Sequence, residues 1–436
     1  MKVLYVTRNF LPGAVRGSEL LSYRWAKAVA ASGDESIVIT SFVCSIIGLF
    51  VPFFGRFSKK EENIEGIQVI RIEHRWKLFT LAYIGTKLSG LLLKIPFLKK
   101  ISVLEWMHGK THAYASGVYF KGLEEAIRLC NPDIIHVTPL PQAYTVQTIQ
   151  IVEKINKANS DKNKKIRLVL TPAMHFSDQG FSALYDLKDT AYAFKTVNCI
   201  ACTTAYEKKR IMDSFHIPED KIHVIPIGWP EYNNSKTDIN TEAIPAIEEA
   251  MVFKADPSHI VLLFFGAKCY KKGLFNIVKA LGMLEEGKDT FLLLVAGTPT
   301  LSWRIKLFMY RLQERYSFII DLPYLSEGAK EKIYSISDIF TLPSIADSYG
   351  IVYLEAMMHG LPIVYADTPA QKEVVNDAGI VVPFYDIETM AEGLQKLIED
   401  KKMRLSLGTK GIERYRKKYT EKGMMDSLVA LYTELL

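Results

Sequence analysis

The chain has 436 residues, too many for one ordinary hydrophobic core, so two domains of similar size are the first expectation. Its 49% hydrophobic, 23% charged and 11% aromatic residues exclude a disordered or fibrous chain. A formal net charge of +6, with no dense Lys/Arg block interleaved with aromatics, argues against nucleic acid as a partner and suits anionic small molecules or an anionic membrane better.

KVLYVT follows Met1 directly and reads as a first core strand rather than as a signal peptide, so the N-terminus is expected to be structural. Five scattered cysteines, Cys44, Cys130, Cys199, Cys202 and Cys269, fit a reducing cytoplasm. Short β-branched runs alternate with amphipathic stretches, which calls for parallel sheets covered by helices on both faces. Strands are predicted near 2–7, 36–41, 67–72, 133–138, 166–171, 197–203 and 222–227. A helix over 18–32 places Leu21, Trp25, Ala28 and Val29 on one face, with Gly33 as its stop. The loop before it, RNFLPGAVRGSE, turns into that helix at Gly17, where backbone N–H groups could meet a phosphate; an ordinary βα turn has the same look.

Residues 42–112 fit no plain βα unit and read as an insertion. Leu78 to Leu98 carries Ile84, Leu88, Leu91, Leu92 and Ile95 at helical spacing, but Lys87 and Lys94 interrupt it, so it is no clean spanning helix. Arg75, Lys77, Lys99 and Lys100 flank it, and His74 to Leu104 contains no acidic residue. An anionic membrane surface bound through 75–104 and a helical hairpin buried against the domain both satisfy that pattern. Cys199-x-x-Cys202 lies in an apolar run without a second Cys or His pair, and His108 and His112 lack the Glu of H-E-x-x-H, so neither predicts zinc. His136 ends one strand of the first half, and His175 follows the next.

From 229 to 257 the apolar periodicity fades, and this stretch reads as a linker. A second series of strands follows near 259–265, 290–296, 317–321, 338–342, 361–366 and 379–382, and residues from about Asp386 onward read as helical. FFGAKCYKKG follows the first of these strands and brings Lys268, Lys272 and Gly273 to its carboxyl end, where α/β sheets bind ligands. Two lysines there can neutralise a diphosphate, although solvated surface lysines look the same. LPSIADSYGIVYLEAMMHGLPIVYADTP then runs strand, loop, helix, strand. Asp347 stands in its loop, Tyr349, Gly350 and Ile351 at the helix start, and Glu355 within the helix. N–H groups at such a start can hold an anion and a carboxylate can accept from sugar hydroxyls; a cap and a solvated face are the plainer alternatives. No G-x-G-x-x-G follows a strand, no G-x-x-x-x-G-K-[ST] is present, and no D-x-D stands at a loop to hold a metal-diphosphate.

Pro343 to Pro362 resembles the E-x7-E signature of retaining GT-B glycosyltransferases of family 4, the glycosyl transferases group 1, with Asp347 where that pattern has Glu. The likeness extends to most of the chain outside 42–112. It implies two Rossmann-like, doubly wound parallel-sheet domains facing a central cleft: 1–228 on the acceptor side with its insertion, a linker over 229–257, a nucleotide-sugar domain over 258–415, and a last helix over 416–436 crossing back to the first domain. It further implies that Asp347 meets the donor sugar's hydroxyls and Glu355 the nucleotide ribose. Gly17 would line the donor phosphates and Lys268 and Lys272 grip them, with Lys268 standing where the family usually has Arg. His175 would be the active-site histidine.

The activity so implied is metal-independent, configuration-retaining sugar transfer from a nucleotide-diphosphate sugar to a glycan acceptor, without a cofactor. The basic, apolar insertion points to a lipid-linked acceptor and to a cytoplasmic enzyme peripheral to the inner membrane face. A catalytically inactive nucleotide-sugar binding protein, a GT-B epimerase or phosphorylase, and a dinucleotide-dependent oxidoreductase are the rival readings. The missing glycine fingerprint opposes the last.

Overall fold

The computed structural model describes all residues other than 13–16, 44–55, 76–79, 82, 86–87, 90–91, 93–117, 141, 162–164, 175–187, 232–238, 285–289, 298–302, 346 and 348. The described chain divides into two compact units, one of Met1–Pro226 with Met424–Leu436 and one of Ile227–Gly423. Both are α/β, each built on a single sheet with helices in the connections.

In the first unit the strands are β1 (Lys2–Val6), β2 (Glu35–Ser41), β3 (Glu61–Ile64), β4 (Ile67–Ile72), β5 (Ile134–Val137), β6 (Arg167–Leu170), β7 (Cys199–Cys202) and β8 (Ile222–Val224). Their spatial order is β3-β4-β2-β1-β5-β6-β7-β8, parallel throughout except for β3 against β4. The described helices are α1 (Gly17–Ala31), α2 (Leu123–Cys130), α3 (Ala143–Ala158), α4 (Lys188–Thr196) and α5 (Ala205–Phe215). Leu4, Ile37, Ile135, Leu168 and Ile200 from the central strands are buried in one core cluster, as a sheet covered on both faces requires.

The second unit carries β9 (Ile260–Phe265), β10 (Phe291–Ala296), β11 (Ile319–Asp321), β12 (Ile339–Leu342), β13 (Ile363–Ala366) and β14 (Gly379–Val382). Their order is β11-β10-β9-β12-β13-β14, all parallel. This is the doubly wound arrangement in which strand order reverses beside the first strand, here between β9 and β12. Its helices are α6 (Ile244–Lys254), α7 (Leu274–Gly282), α8 (Trp303–Arg315), α9 (Glu327–Ile336), α10 (Ile351–Met358), α11 (Pro369–Val375), α12 (Ile387–Glu399) and α13 (Lys401–Lys418). Asp400 is extended between α12 and α13, and its carboxylate caps the second by accepting from Met403 N at 2.9 Å.

The last helix, α14 (Glu421–Leu435), belongs to the first unit from Met424 onward. Its Tyr432 hydroxyl lies 3.1 Å from that of Tyr5 on β1 and 2.5 Å from Nδ1 of His136 on β5. Tyr5, His136 and Tyr432 are all buried, so the contact joins the two ends of the chain in the unit's interior.

Candidate functional site

The second unit supplies most of the candidate residues, and two loops position them. One runs from β9 to α7 and the other from β12 to α10, the adjacent strands at which the sheet order reverses. Connections leave such a pair toward opposite sides, which opens a crevice at the carboxyl ends of the strands. The two loops are tied together by Ile345 N donating to the Lys271 carbonyl at 2.9 Å. Gln371, fully buried, donates to the Ser344 carbonyl and accepts from Ala366 N, so α11 and β13 fix the same loop from behind. Gly273 has a φ of +81°, and a Cβ there would lie 2.3 Å from the Pro343 carbonyl oxygen. Only glycine gives both that backbone and that approach.

This packing brings Lys272 and Asp347 into an ion pair between Nζ and Oδ1. Both side chains are largely buried, yet Oδ2 of Asp347 is buried with no hydrogen-bond partner among the described residues. A carboxylate oxygen so placed is a strong acceptor waiting for a donor, because leaving it unpaired costs free energy.

Just beyond, Gly350 adopts a φ of +83° and is the N-cap of α10. A Cβ on it would lie 2.4 Å from the Tyr353 ring, and Tyr353 donates its hydroxyl to the Leu342 carbonyl at 2.6 Å, fastening the helix start to the end of β12. Ile351 is the first residue of that helix, whose N-cap makes no side-chain hydrogen bond to the N–H groups of the opening turn. Tyr349 plays a different part from its neighbours. Its side chain is buried, donates to the Ile227 carbonyl at 3.2 Å and meets Tyr419 edge-on, and burial holds its hydroxyl well above the ordinary tyrosine range. The ring is thus an anchor of the fold.

Glu355, on the next turn of α10, is buried and faces α9. It pairs with Lys330 through one oxygen and accepts from the Tyr334 hydroxyl at 3.0 Å through the other. Tyr334 is itself fully buried, and desolvation together with the Glu355 charge drives its hydroxyl well above the usual range.

Lys268 is not brought to Lys272. Its Nζ is held by Asp321 Oδ1 at 2.5 Å and by the Leu322 carbonyl at 2.9 Å, at the end of β11. It lines a cavity of ≈ 470 Å³ together with Glu242, Met309, Tyr310 and Gln313, on the β10–β11 side of the sheet. The two lysines therefore face different carboxylates. The reason is local: Cys269 is extended and a 3-10 turn follows over Tyr270–Lys272, so a spacing of four does not put them on one face.

In the first unit, Gly17 is the exposed opening residue of α1, and a Cβ there would meet nothing within 4 Å. Nothing steric in the described residues demands glycine. His136 is a core residue: it stacks on Trp25 at 4.4 Å, Nε2 lies 2.9 Å from Thr171 Oγ1, and burial lowers its pKa to about 3. Cys199 and Cys202 are buried in β7 and form no disulfide, the first with its thiol pushed up to about 12 by burial. His175, His108 and His112 lie outside the described residues.

Asp321, Lys330 and Tyr334 escape motif reading. Asp321 has a positional signal, a carboxylate ending a parallel strand. Lys330 and Tyr334 have a spacing signal, four apart on one helix, but their partner Glu355 lies on another.

Residues 248–414 match the family model of the glycosyl transferases group 1. An uncharacterized glycosyltransferase of Methanocaldococcus jannaschii is 24% identical over 409 residues, 92% of this chain and 90% of that protein. The capsular polysaccharide biosynthesis glycosyltransferase CapM of Staphylococcus aureus is 23% identical over 52% of this chain and 60% of its own length. Among solved structures, an alpha,alpha-trehalose-phosphate synthase (UDP-forming) from Burkholderia xenovorans superposes with a TM-score of 0.71 at 13% identity, covering 99% of this chain and 100% of that one. The fold is GT-B, and these comparisons support a glycosyltransferase.

Proposed function

We propose that the chain is a metal-independent, retaining glycosyltransferase of family 4 that moves a sugar from a nucleotide-diphosphate donor to a glycan acceptor. The observation that carries the reading is the Lys272–Asp347 pair at the strand-order reversal of the second unit, with one Asp347 oxygen left without a partner among the described residues. A cation and a hydrogen-bond acceptor side by side, beside the N-terminal turn of α10, suit a sugar phosphate and few other small molecules.

In this mechanism Lys272 meets the negative charge that grows on the departing diphosphate, and the first turn of α10 adds fixed N–H dipoles. Asp347 accepts a hydrogen bond from a hydroxyl of the transferred sugar through Oδ2. The acceptor hydroxyl attacks the anomeric carbon on the face that the diphosphate leaves, and its proton passes to the leaving phosphate oxygen. Glu355 holds the ribose, and Gly17 and His175 act from the first unit on the phosphates and the sugar. Lys268, already neutralised by Asp321, contributes to the diphosphate only by exchanging that partner.

The acceptor is lipid-linked in this reading, and the enzyme works in the cytoplasm at the inner membrane face. Support comes from 75–104. Leu81, Ile84 and Leu88 recur at helical spacing with exposures of 67%, 55% and 61%, within a segment whose charged residues are all basic. No described helix is long and apolar enough to cross a membrane.

Thermal-shift titration with a panel of UDP-, GDP-, ADP- and dTDP-sugars tests the donor assignment. One donor class is expected to raise the melting temperature in the presence of EDTA, followed by transfer in an acceptor screen. No shift with any of them contradicts it.

A further inference from the structure

Glu355 is more tightly held than a ribose-binding carboxylate needs to be merely to exist. We infer that Lys330, together with Tyr334, is a positioning device for Glu355, holding its carboxylate in one orientation so that the vicinal hydroxyls of the donor's ribose meet an acceptor already aimed. This inference rests on the donor reading above and assigns to two residues of α9 a part in recognising the nucleoside.

Three observations lead to it. The Glu355 side chain is only 4% exposed, and a carboxylate in such surroundings is costly unless a cation attends it. Lys330 is that cation. Its own placement is fixed: Nζ stands 5.4 Å from the Trp229 ring and 5.7 Å from the Phe265 ring, so two aromatic faces favour the charge where it lies. Trp229 is in turn pinned at Tyr419 and Tyr415, by N donating to the Tyr419 carbonyl at 2.9 Å and by its carbonyl accepting from the Tyr415 hydroxyl at 2.8 Å.

Tyr334 is equally constrained. It stacks on Phe265 at 6.0 Å and on His359 at 5.0 Å, which holds the ring while its hydroxyl donates to Glu355. The start of α9 is fastened as well, since Asn240 and Ser326 exchange hydrogen bonds of 2.9 and 3.2 Å between side chain and backbone.

The count of acceptor sites gives the functional sense. A carboxylate offers about four lone-pair positions, and Lys330 and Tyr334 occupy one on each oxygen, leaving about one on each. Two remaining acceptors on a rigid carboxylate match the two adjacent hydroxyls of a ribose. A buried ion pair serving stability alone has no reason to tell a ribose from a deoxygenated one.

The test is calorimetric binding of UDP, GDP and ADP, each beside its 2′,3′-dideoxy analogue, to the full-length protein. Wild type is expected to prefer one ribonucleotide over its dideoxy form by about tenfold or more, the worth of hydrogen bonds to a charged acceptor. In Lys330→Met that preference is expected to fall to within about twofold, and in Lys330→Arg to return in large part, because a guanidinium restores the charge. Tyr334→Phe, which deletes only a hydroxyl, is expected to lower the preference partway and decides the matter if Lys330→Met does not fold. An undiminished ribose preference in Lys330→Met, or in Tyr334→Phe where only that variant folds, overturns the inference while leaving the donor reading intact. Failure of wild type to bind any of the nucleotides overturns both.

Discussion

Lys272 and Lys268 carry the same charge four residues apart, yet the structure gives them different lives. Lys272 pairs with Asp347, whose second oxygen has no partner among the described residues, whereas Lys268 is buried against Asp321 and a carbonyl. The motif names both residues and Asp347, Gly350, Ile351 and Glu355, because side-chain type and order along one loop are properties of sequence. It does not name Asp321 or Lys330, because those pairings depend on which strand ends lie side by side. At the same scale, Gly17 separates two explanations for a glycine. A methyl group there meets nothing within 4 Å, so Gly17→Ala is expected to leave the melting temperature unchanged or slightly raised. If the glycine serves close approach of the donor phosphates, the same variant weakens donor binding in calorimetry. Unaltered donor affinity removes Gly17 from the site.

Elements were legible wherever burial forces a run of apolar residues. IVLLFF and FLLLVA are the buried central strands β9 and β10, a short continuous apolar run being what a strand covered on both faces presents. β3 was not legible, because EENI on a sheet edge buries little, and its turn at Glu65 and Gly66, both at positive φ, carries the only signal. The loop between β9 and α7 depends on a similar feature. Gly273→Ala forces a Cβ against the Pro343 carbonyl and an unfavourable φ, so it is expected to cost roughly 1–3 kcal/mol of stability in the second unit. Denaturant unfolding measures that cost, and donor affinity should fall with it, since the displaced loop carries Lys272. A variant with native stability and native donor affinity would show that the close approach does not position the site.

At the scale of the whole molecule two properties stand out, the first of them arising from residues far apart in sequence. His136 holds the C-terminal helix through Tyr432, and burial depresses its pKa from 6.5 to about 3. Because the folded state disfavours the proton, this group contributes stability above pH 6.5 and loses it progressively as pH falls toward 3. Between pH 6.5 and 4.5 the loss is roughly 2–3 kcal/mol, at about 1.4 kcal/mol per pH unit. Urea unfolding of wild type and His136→Gln at both pH values is expected to show a shallower acid loss in the variant; equal slopes would contradict it. The second property is the apolar, basic stretch of the insertion, whose choice between membrane and buried hairpin the sequence leaves open, most of it lying outside the described residues. Ile84→Glu with Leu88→Glu is expected to abolish sedimentation with phosphatidylglycerol vesicles at low salt. If wild type does not sediment, the membrane role is lost.

The account as a whole turns on Lys272 acting on the leaving diphosphate. Its most direct test is the rate of nucleoside diphosphate release from the donor class that the panel selects, with acceptor and EDTA present, for wild type and Lys272→Ala. Removal of one such electrostatic partner is expected to slow release by about 10²–10³-fold without unfolding the second unit. Release at the wild-type rate in Lys272→Ala would contradict the account.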